Sequence, residues 1–379
     1  MLRQWKARGI GGVWRQEKRC AGTGLVLLNM GGPATANEQE VEGFLRNLFS
    51  DRDIVRLPFQ AVAGPLLARR RAPKVAKLYA EIGGSPILKW TVKQAELLTT
   101  RLDLESPETG PHKAFVGFRY VQPRVREALV QMRESGVKRA VAFSQYPHFS
   151  CTTAGSSLNE LWRELRALGL ENAFQWSLVD RWPLHGAFLH AVSTRIQEAV
   201  ARFPEGVNLS DIHVLFSAHS IPVETLLRGD HYPGEVTASV HAIMHGIRAY
   251  LPAAPQYHIC WQSKVGPRQW LAPHTDGVIK ALAARGVRNL LVVPIAFTTD
   301  HIETLSEIDI EYAHLAKKLG ITNFIRSESL NDADVTIRAL AGVVKDHLRA
   351  GLPHSPLYLQ RCPECVNPEC RTIVNPISR

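Results

Sequence analysis

The sequence predicts an α/β protein of two similar doubly wound domains with parallel sheets, followed by a C-terminal cysteine-rich extension. Three observations carry this. Short apolar runs bounded by turn residues alternate with segments of helical periodicity, the pattern of βαβ units whose strands are buried on both faces. The 379 residues exceed one ordinary core and fit two domains plus extensions. "ALVQMRESGVKRAVAF" (128–143) and "IKALAARGVRNLLVVP" (279–294) share one pattern, a helix, a Gly-Val-basic turn and a buried strand, which hints at duplication.

In chain order, residues 1–22 come first. They carry six Lys or Arg against Glu17 alone, half of the chain's net charge of +10. A basic, acid-poor start with Trp5, Val13 and Trp14 reads as a mitochondrial transit peptide, and a solvated basic tail is the competing reading. "GLVLLNMGGP" (24–33) is a strand ending in a Gly-Gly-Pro turn. "RLPFQAVAGPLLARRRAPK" (56–74) departs from the strand–helix alternation by setting Phe59, Val62, Leu66 and Leu67 beside Arg69, Arg70, Arg71 and Lys74. Such a segment can rest on an anionic membrane surface. It can equally be a core-facing helix with a solvated basic end. "HKAFVGFRYVQP" (112–123) and "RAVAFSQYPHF" (139–149) are the next strands, and Pro183 and Gly186 in "DRWPLHGAF" (180–188) interrupt the pattern. This divides the chain into a first domain of 23–188, with 353–379 returning to it, and a second of 189–352. "IHVLFSAHSIP" (212–222) and "NLLVVPIAFTTDH" (289–301) are strands of the second domain.

Ligands of open parallel sheets sit beyond the carboxyl ends of the strands. Met30, Arg119, Tyr120, Tyr146, His148, His219, Asp300, His301 and Glu303 all fall there. No Gly-x-Gly-x-x-Gly and no P-loop accompany them, which argues against a dinucleotide or ATP. In "DHIETLSEIDIEY" (300–312), Glu303, Glu307 and Glu311 recur every four residues, one acidic line on a helix. Such a line can relay protons or pass a divalent cation, and at least one of its pKa values should rise unless basic groups intervene. A solvated acidic face is the bland alternative. The strand-end start, the adjacent His301 and the apolar Ile302, Leu305, Ile308 and Ile310 weigh against it. His219, directly after a buried strand, suits a proton acceptor near neutral pH.

"RCPECVNPECR" closes the chain with Cys362, Cys365 and Cys370, half of its six cysteines. Three thiols interleaved with Pro363 and Pro368 favour a metal over chance. Cys151, in the small polar loop "PHFSCTTAGSS", is the best fourth ligand, whereas Cys260 in "YHICWQ" belongs to a core strand. Zinc and an iron–sulfur cluster both fit at this point.

Composition closes off other classes. A hydrophobic content of 45% with 21% charged residues describes a globular chain. Six cysteines are too few for a disulfide scaffold. No apolar run reaches the roughly 20 residues that span a bilayer. Outside the N-terminus the chain is only mildly basic, so no nucleic-acid partner is expected.

Together "LNMGGP", "IGGSPILKWT", "GFRYVQP", "QYPHFSCTTAGSSLNE", "FSAHSIP", "WQSKVGPRQWLAPHTD" and "PIAFTTDHIETLSEIDIEY" resemble the ferrochelatases of haem synthesis, from about residue 24 to 371. The resemblance implies two Rossmann-like domains with parallel four-stranded sheets. It implies insertion of Fe2+ into protoporphyrin IX with release of two protons. It implies His219 as the active-site base or metal holder, Glu303 as its acidic partner with His301 beside it, and Glu307 and Glu311 as a proton exit. It assigns Arg119 and Tyr120 to the opposite side of the macrocycle, Met30 and Trp270 to the pocket, and Phe297, Tyr79, Arg70 and Ser85 to its walls and propionate side. The cysteine tail resembles the subgroup with a [2Fe–2S] cluster on Cys151, Cys362, Cys365 and Cys370. A homodimer at the matrix side of the mitochondrial inner membrane, touching it through about 56–74, is the implied setting, with a bacterial membrane-associated enzyme as the alternative. Gly186 and Gly342 depart from the family pattern around His185. The rival functions are a chelatase for another metal or tetrapyrrole, such as coproporphyrin III, and a non-catalytic haem or iron carrier with a redox-sensing cluster.

Overall fold

The computed structural model describes residues 22–250, 254–357 and 362–370, so the expected leader at 1–22 lies almost wholly outside the described residues. Two sheets organise the chain. The first has the order β2-β1-β3-β4, with β1 Thr23–Asn29, β2 His112–Phe118, β3 Arg139–Ser144 and β4 Gln175–Val179. The second repeats it as β6-β5-β7-β8, with β5 Ile212–His219, β6 Gln256–Gln262, β7 Asn289–Pro294 and β8 Asn323–Arg326. All pairings are parallel. β1 is buried along its whole length, as a central strand covered on both faces must be.

Alternation along each strand sorts side chains into layers. Leu25 and Leu27 face a core shared by both sheets, while Val26 and Leu28 face the outer side of the first. The shared core is filled by α3 (Ile87–Glu105), α6 (Gly186–Val200), α8 (Tyr232–Tyr250) and α11 (Asp334–Ala350). Helices α4 (Val125–Glu134) and α5 (Ser156–Ala167) cover the outer face of the first sheet. α9 (Thr275–Ala284) and α10 (Ala313–Lys318) cover that of the second. The duplicated motif falls on α4–β3 and on α9–β7, equivalent steps of the two halves. α6 runs unbroken through the 188/189 junction, and Leu178 N–H donates to the Pro353 carbonyl, tying the C-terminal stretch to the first sheet.

A helical pair stands outside this plan. α1 (Glu38–Ser50) and α2 (Gln60–Glu81) pack on each other and on Tyr120 in their own apolar cluster. Phe59 caps the start of α2, with a φ of 47°, a left-handed conformation rare for an aromatic residue, and is 89% exposed. The remaining helix, α7 (Val223–Leu227), is a single short turn after β5.

Candidate functional site

The carboxyl ends of the central strands come together at one place, the candidate binding cleft. Thr298, after β7, donates its hydroxyl to the Gln145 carbonyl after β3, and Gln94 of α3 reaches the carbonyls of Thr298 and Asn331. At the first strand end, Gly31 has φ +75°, and an added Cβ would lie 2.4 Å from Val121, so only glycine lets this turn pass the loop after β2.

His219 is the last residue of β5. Its Nδ1 lies 2.6 Å from the Ser220 carbonyl, which can only accept, so Nδ1 donates the hydrogen bond and, in the neutral imidazole, Nε2 holds the lone pair. Trp270 stands beside it with ring centroids 6.5 Å apart, held by its own Nε1–H on the Val265 carbonyl.

Past β7, Asp300 accepts from Thr304, Ser329 and Asn331 and pairs with Arg326, which fixes the loop without facing the cleft. His301 follows. Its Nδ1 sits 2.6 Å from Glu303 Oε2, its ring packs edge-on against Phe297 at 3.9 Å, and its Nε2 is buried without a partner among the described residues. Burial pushes the Glu303 carboxyl up, but the charges of His301 and then His219 outweigh it and hold the group down at about 2. Glu303 also pushes up the phenols of Tyr79 and Tyr146, which burial already raises. Residues from α2, β3, β5 and β7 therefore meet around one carboxylate.

The acidic line differs in geometry from the expected α-helix. Glu303–Tyr312 is a π-helix, with the Ala313 N–H reaching back to the Ile308 carbonyl. Its wider turn leaves each glutamate in a different setting. Glu307 accepts from Gln262 Nε2, the Ser263 N–H and hydroxyl, and Tyr312 Oη, and these four bonds fix its position. Glu311, exposed at the outer end, is pushed up by partial burial and by Glu307, with Lys74 and Glu81 of α2 nearby.

Arg119 and Tyr120 stand apart from this group. Both are buried on the far side of Met30, whose carbonyl accepts the Tyr120 N–H. The Tyr120 hydroxyl donates to Asp51 Oδ2 at 2.7 Å, and Arg119 pairs with Asp51 at 3.1 Å and Glu160 at 3.2 Å. Met30 is half-buried against α1, α2 and Ile302. Arg70 is exposed on α2, and Ser85 Oγ is buried against Gly32 without a hydrogen-bond partner among the described residues. The sequence did not single out Asp51, Gln262 or Ser263. Only the last two carried a signal, their place at the end of β6.

The cysteine tail folds against the loop after α7. An added Cβ on Gly229, at φ +95°, would lie 2.6 Å from Pro363, and the Glu364 N–H donates to the Arg228 carbonyl. Burial, then Asp230 and Cys365, push the Cys362 thiol up to about 11; burial, then Asp230 and Cys362, push that of Cys151 higher still. Cys362 thus lies within electrostatic reach of both Cys151 and Cys365, and Cys370 is buried at the end of the same turn. Among the described residues no three His, Cys, Asp or Glu side chains converge as one metal ion would need. A [2Fe–2S] cluster asks for two thiolates at each iron, a set these four cysteines can supply.

Three comparisons with known proteins bear on this chain. A family model described as ferrochelatase matches residues 22–348. The mitochondrial ferrochelatase of Dictyostelium discoideum is 48% identical over 382 residues, covering 95% of this chain and 90% of that protein. That of Homo sapiens is 46% identical over 367 residues, covering 96% and 85%. Among solved structures, a sirohydrochlorin chelatase of Bacillus subtilis subspecies spizizenii aligns with a TM-score of 0.50 at 12% identity, covering 88% of this chain and 98% of that one, a likeness of fold alone.

Proposed function

This chain belongs to the ferrochelatase family, and on that premise we propose how its own residues insert iron into protoporphyrin. The reaction itself, insertion of Fe2+ into protoporphyrin at the terminal step of haem biosynthesis, follows from membership, and the likeness to mitochondrial ferrochelatases supports mitochondrial placement.

The observation that carries the mechanism is the tautomer of His219. With Nδ1–H held by the Ser220 carbonyl, Nε2 presents a basic lone pair to the cleft. A planar porphyrin points its nitrogens inward and resists metal entry. Bending the ring exposes a lone pair, and binding energy from the rest of the macrocycle, through Trp270, Phe297, Met30 and Tyr79, supplies the bend. Four iron–nitrogen bonds form while two N–H bonds break, so two protons must leave for each Fe2+ that enters. His219 Nε2 accepts a pyrrole proton. Glu303, held as an anion beside His301, keeps negative charge where the cation and the departing protons pass. Glu307, fixed by four donated bonds, and Glu311, with its raised pKa, continue that path outward. Arg119 and Tyr120 act from the opposite side, and Arg70 and Ser85 from the propionate side.

Cys151, Cys362, Cys365 and Cys370 are proposed to hold a [2Fe–2S] cluster. Such a cluster supplies one-electron chemistry, which insertion of Fe2+ does not consume. The membrane reading of 56–74 is supported by Phe59, Val62 and Leu66, exposed at 89%, 71% and 68% beside exposed Arg69, Arg70 and Lys74. No helix among the described residues is long and apolar enough to cross a membrane. The contact we propose is peripheral, at the matrix side of the inner membrane. A homodimer belongs to the same reading.

The test is anaerobic. Purified protein should show iron–sulfur absorption and then form many haems per chain from Fe2+ and protoporphyrin. Cys365→Ser should lose the absorption. Turnover without absorption would keep the enzyme and reject the cluster, and stoichiometric porphyrin binding without turnover would reject the mechanism.

A further inference from the structure

The corner between α1 and α2 is tied down from three sides. Asp53 lies at its centre. One carboxylate oxygen accepts from Asn367 Nδ2 of the cysteine tail at 2.8 Å, and the other accepts from Asn159 Nδ2 of α5 at 2.9 Å. Two residues earlier, Asp51 takes the Tyr120 and Ser156 hydroxyls and the Arg119 guanidinium. Ser156 and Asn159 share a continuous helical run with Cys151, since the π-turn Cys151–Gly155 leads directly into α5. On the third side, Arg268, from the loop that carries Trp270, donates to the Arg56 carbonyl at 2.7 Å. A charged cavity of about 520 Å³ lies beside this junction, lined from the corner by Asp53, from the first sheet's side by Arg119 and Glu160, and from the tail by Val366, Asn367 and Pro368.

Both routes from the cysteines, through the tail and along α5, therefore end on residues 51–53. That corner sets the angle at which α2 leaves α1. α2 carries the exposed Phe59 edge at one end and Tyr79, beside Glu303, at the other. We propose that Asp53 and Asn367 are positioning residues that lock the α1–α2 lip to the folded cysteine tail, so that the tail sets the geometry of the porphyrin cleft. This gives the tail a role in a reaction that needs no electron. It rests on the cleft being the porphyrin site and is independent of what the cysteines bind.

The experiment compares four full-length proteins: the parent, Asp53→Asn, Asn367→Ala, and the double variant carrying Asp53→Asn and Asn367→Asp. With the Asn159 and Asn367 amides oriented as they stand, an asparagine at 53 turns its own NH2 toward one of these two donors, so one bond is lost. In the double variant that asparagine can accept from Asn159 and donate to the new carboxylate, which restores the clasp with reversed polarity. Amide exchange over residues 51–60 should quicken in both single variants and return to the parent rate in the double one. KM for protoporphyrin should rise about fivefold in the single variants, the weight of one hydrogen bond, and kcat should stay within about twofold. The visible spectrum should be unchanged throughout. Parental exchange and KM in both single variants would overturn the proposal, as would a double variant that fails to recover. If Asp53→Asn does not fold, Asn367→Ala decides on the same two readouts. A parent that forms no haem would reject the function while leaving the exchange data to judge the clasp.

Discussion

The proton on His219 sits on Nδ1 because the carbonyl of its own neighbour leaves it no other place, and that makes Nε2 the basic atom of the cleft. Glu303 is its counterpart. With its carboxyl held at about 2, it is an anion at any physiological pH, and its value lies in charge rather than in taking a proton from solution. Glu303→Gln keeps the shape and removes the charge. It should lower kcat about a hundredfold while shifting porphyrin affinity far less. Equal losses in both would mean that Glu303 holds the substrate and not the charge of the reaction. His219, His301 and Glu303 were legible in the sequence because each follows a buried apolar run, and strand ends are where such sheets bind ligands. The tautomer of His219 was not, since it depends on one backbone carbonyl. Nor was the meeting of Tyr79 and Tyr146 with Glu303, which brings together three elements far apart in the chain.

Among the elements, the acidic segment was expected as a helix and is one, but of the π type. A π-helix is rare and concentrates at functional sites. Here it lets Glu307 turn back to Gln262 and Ser263 while Glu311 emerges against α2. Nothing in a four-residue repeat of glutamate distinguishes the two helical types. β4 and β8 passed unrecognised for a different reason. "QWSLV" and "NFIR" are short edge strands, and β8 is only half-buried, so neither presents a long apolar run. α2 was legible as an exception, because its apolar and basic residues crowd one end. Phe59→Ser with Leu66→Ser should weaken association with vesicles containing anionic lipid, at least tenfold for two large apolar side chains, and leave thermal stability unchanged. Undiminished vesicle binding would return this helix to an ordinary surface element.

For the molecule as a whole, two copies of one βαβ plan are joined by a common apolar core, and the carboxyl ends of their central strands meet at one site. The duplicated helix–turn–strand motif foretold this, though the shared core could not be read from either copy. The common core also contains a weak point. His148, bonded to Ser239, is held down at about 3 by burial, and His347 at about 4, by burial and then in part by His354. Both fold as neutral imidazoles with pKa values below the unfolded value of about 6.5. Their contribution to stability is present above about pH 6.5 and is lost as pH falls toward 4 and 3, at about 1.4 kcal/mol per pH unit for each. The melting temperature should therefore drop between pH 7 and 5, and His148→Gln should flatten that drop. An acid limb of the same slope in the variant would assign the loss to other groups.

The most direct measurement separates binding from insertion in His219→Ala. Protoporphyrin affinity is read by fluorescence titration, and haem formation with Fe2+ is followed anaerobically. The account predicts affinity within about threefold of the parent and a kcat lower by at least a hundredfold, the contribution of a positioned base. Insertion at the parental rate with unchanged affinity would contradict the assignment of proton acceptance to His219 Nε2.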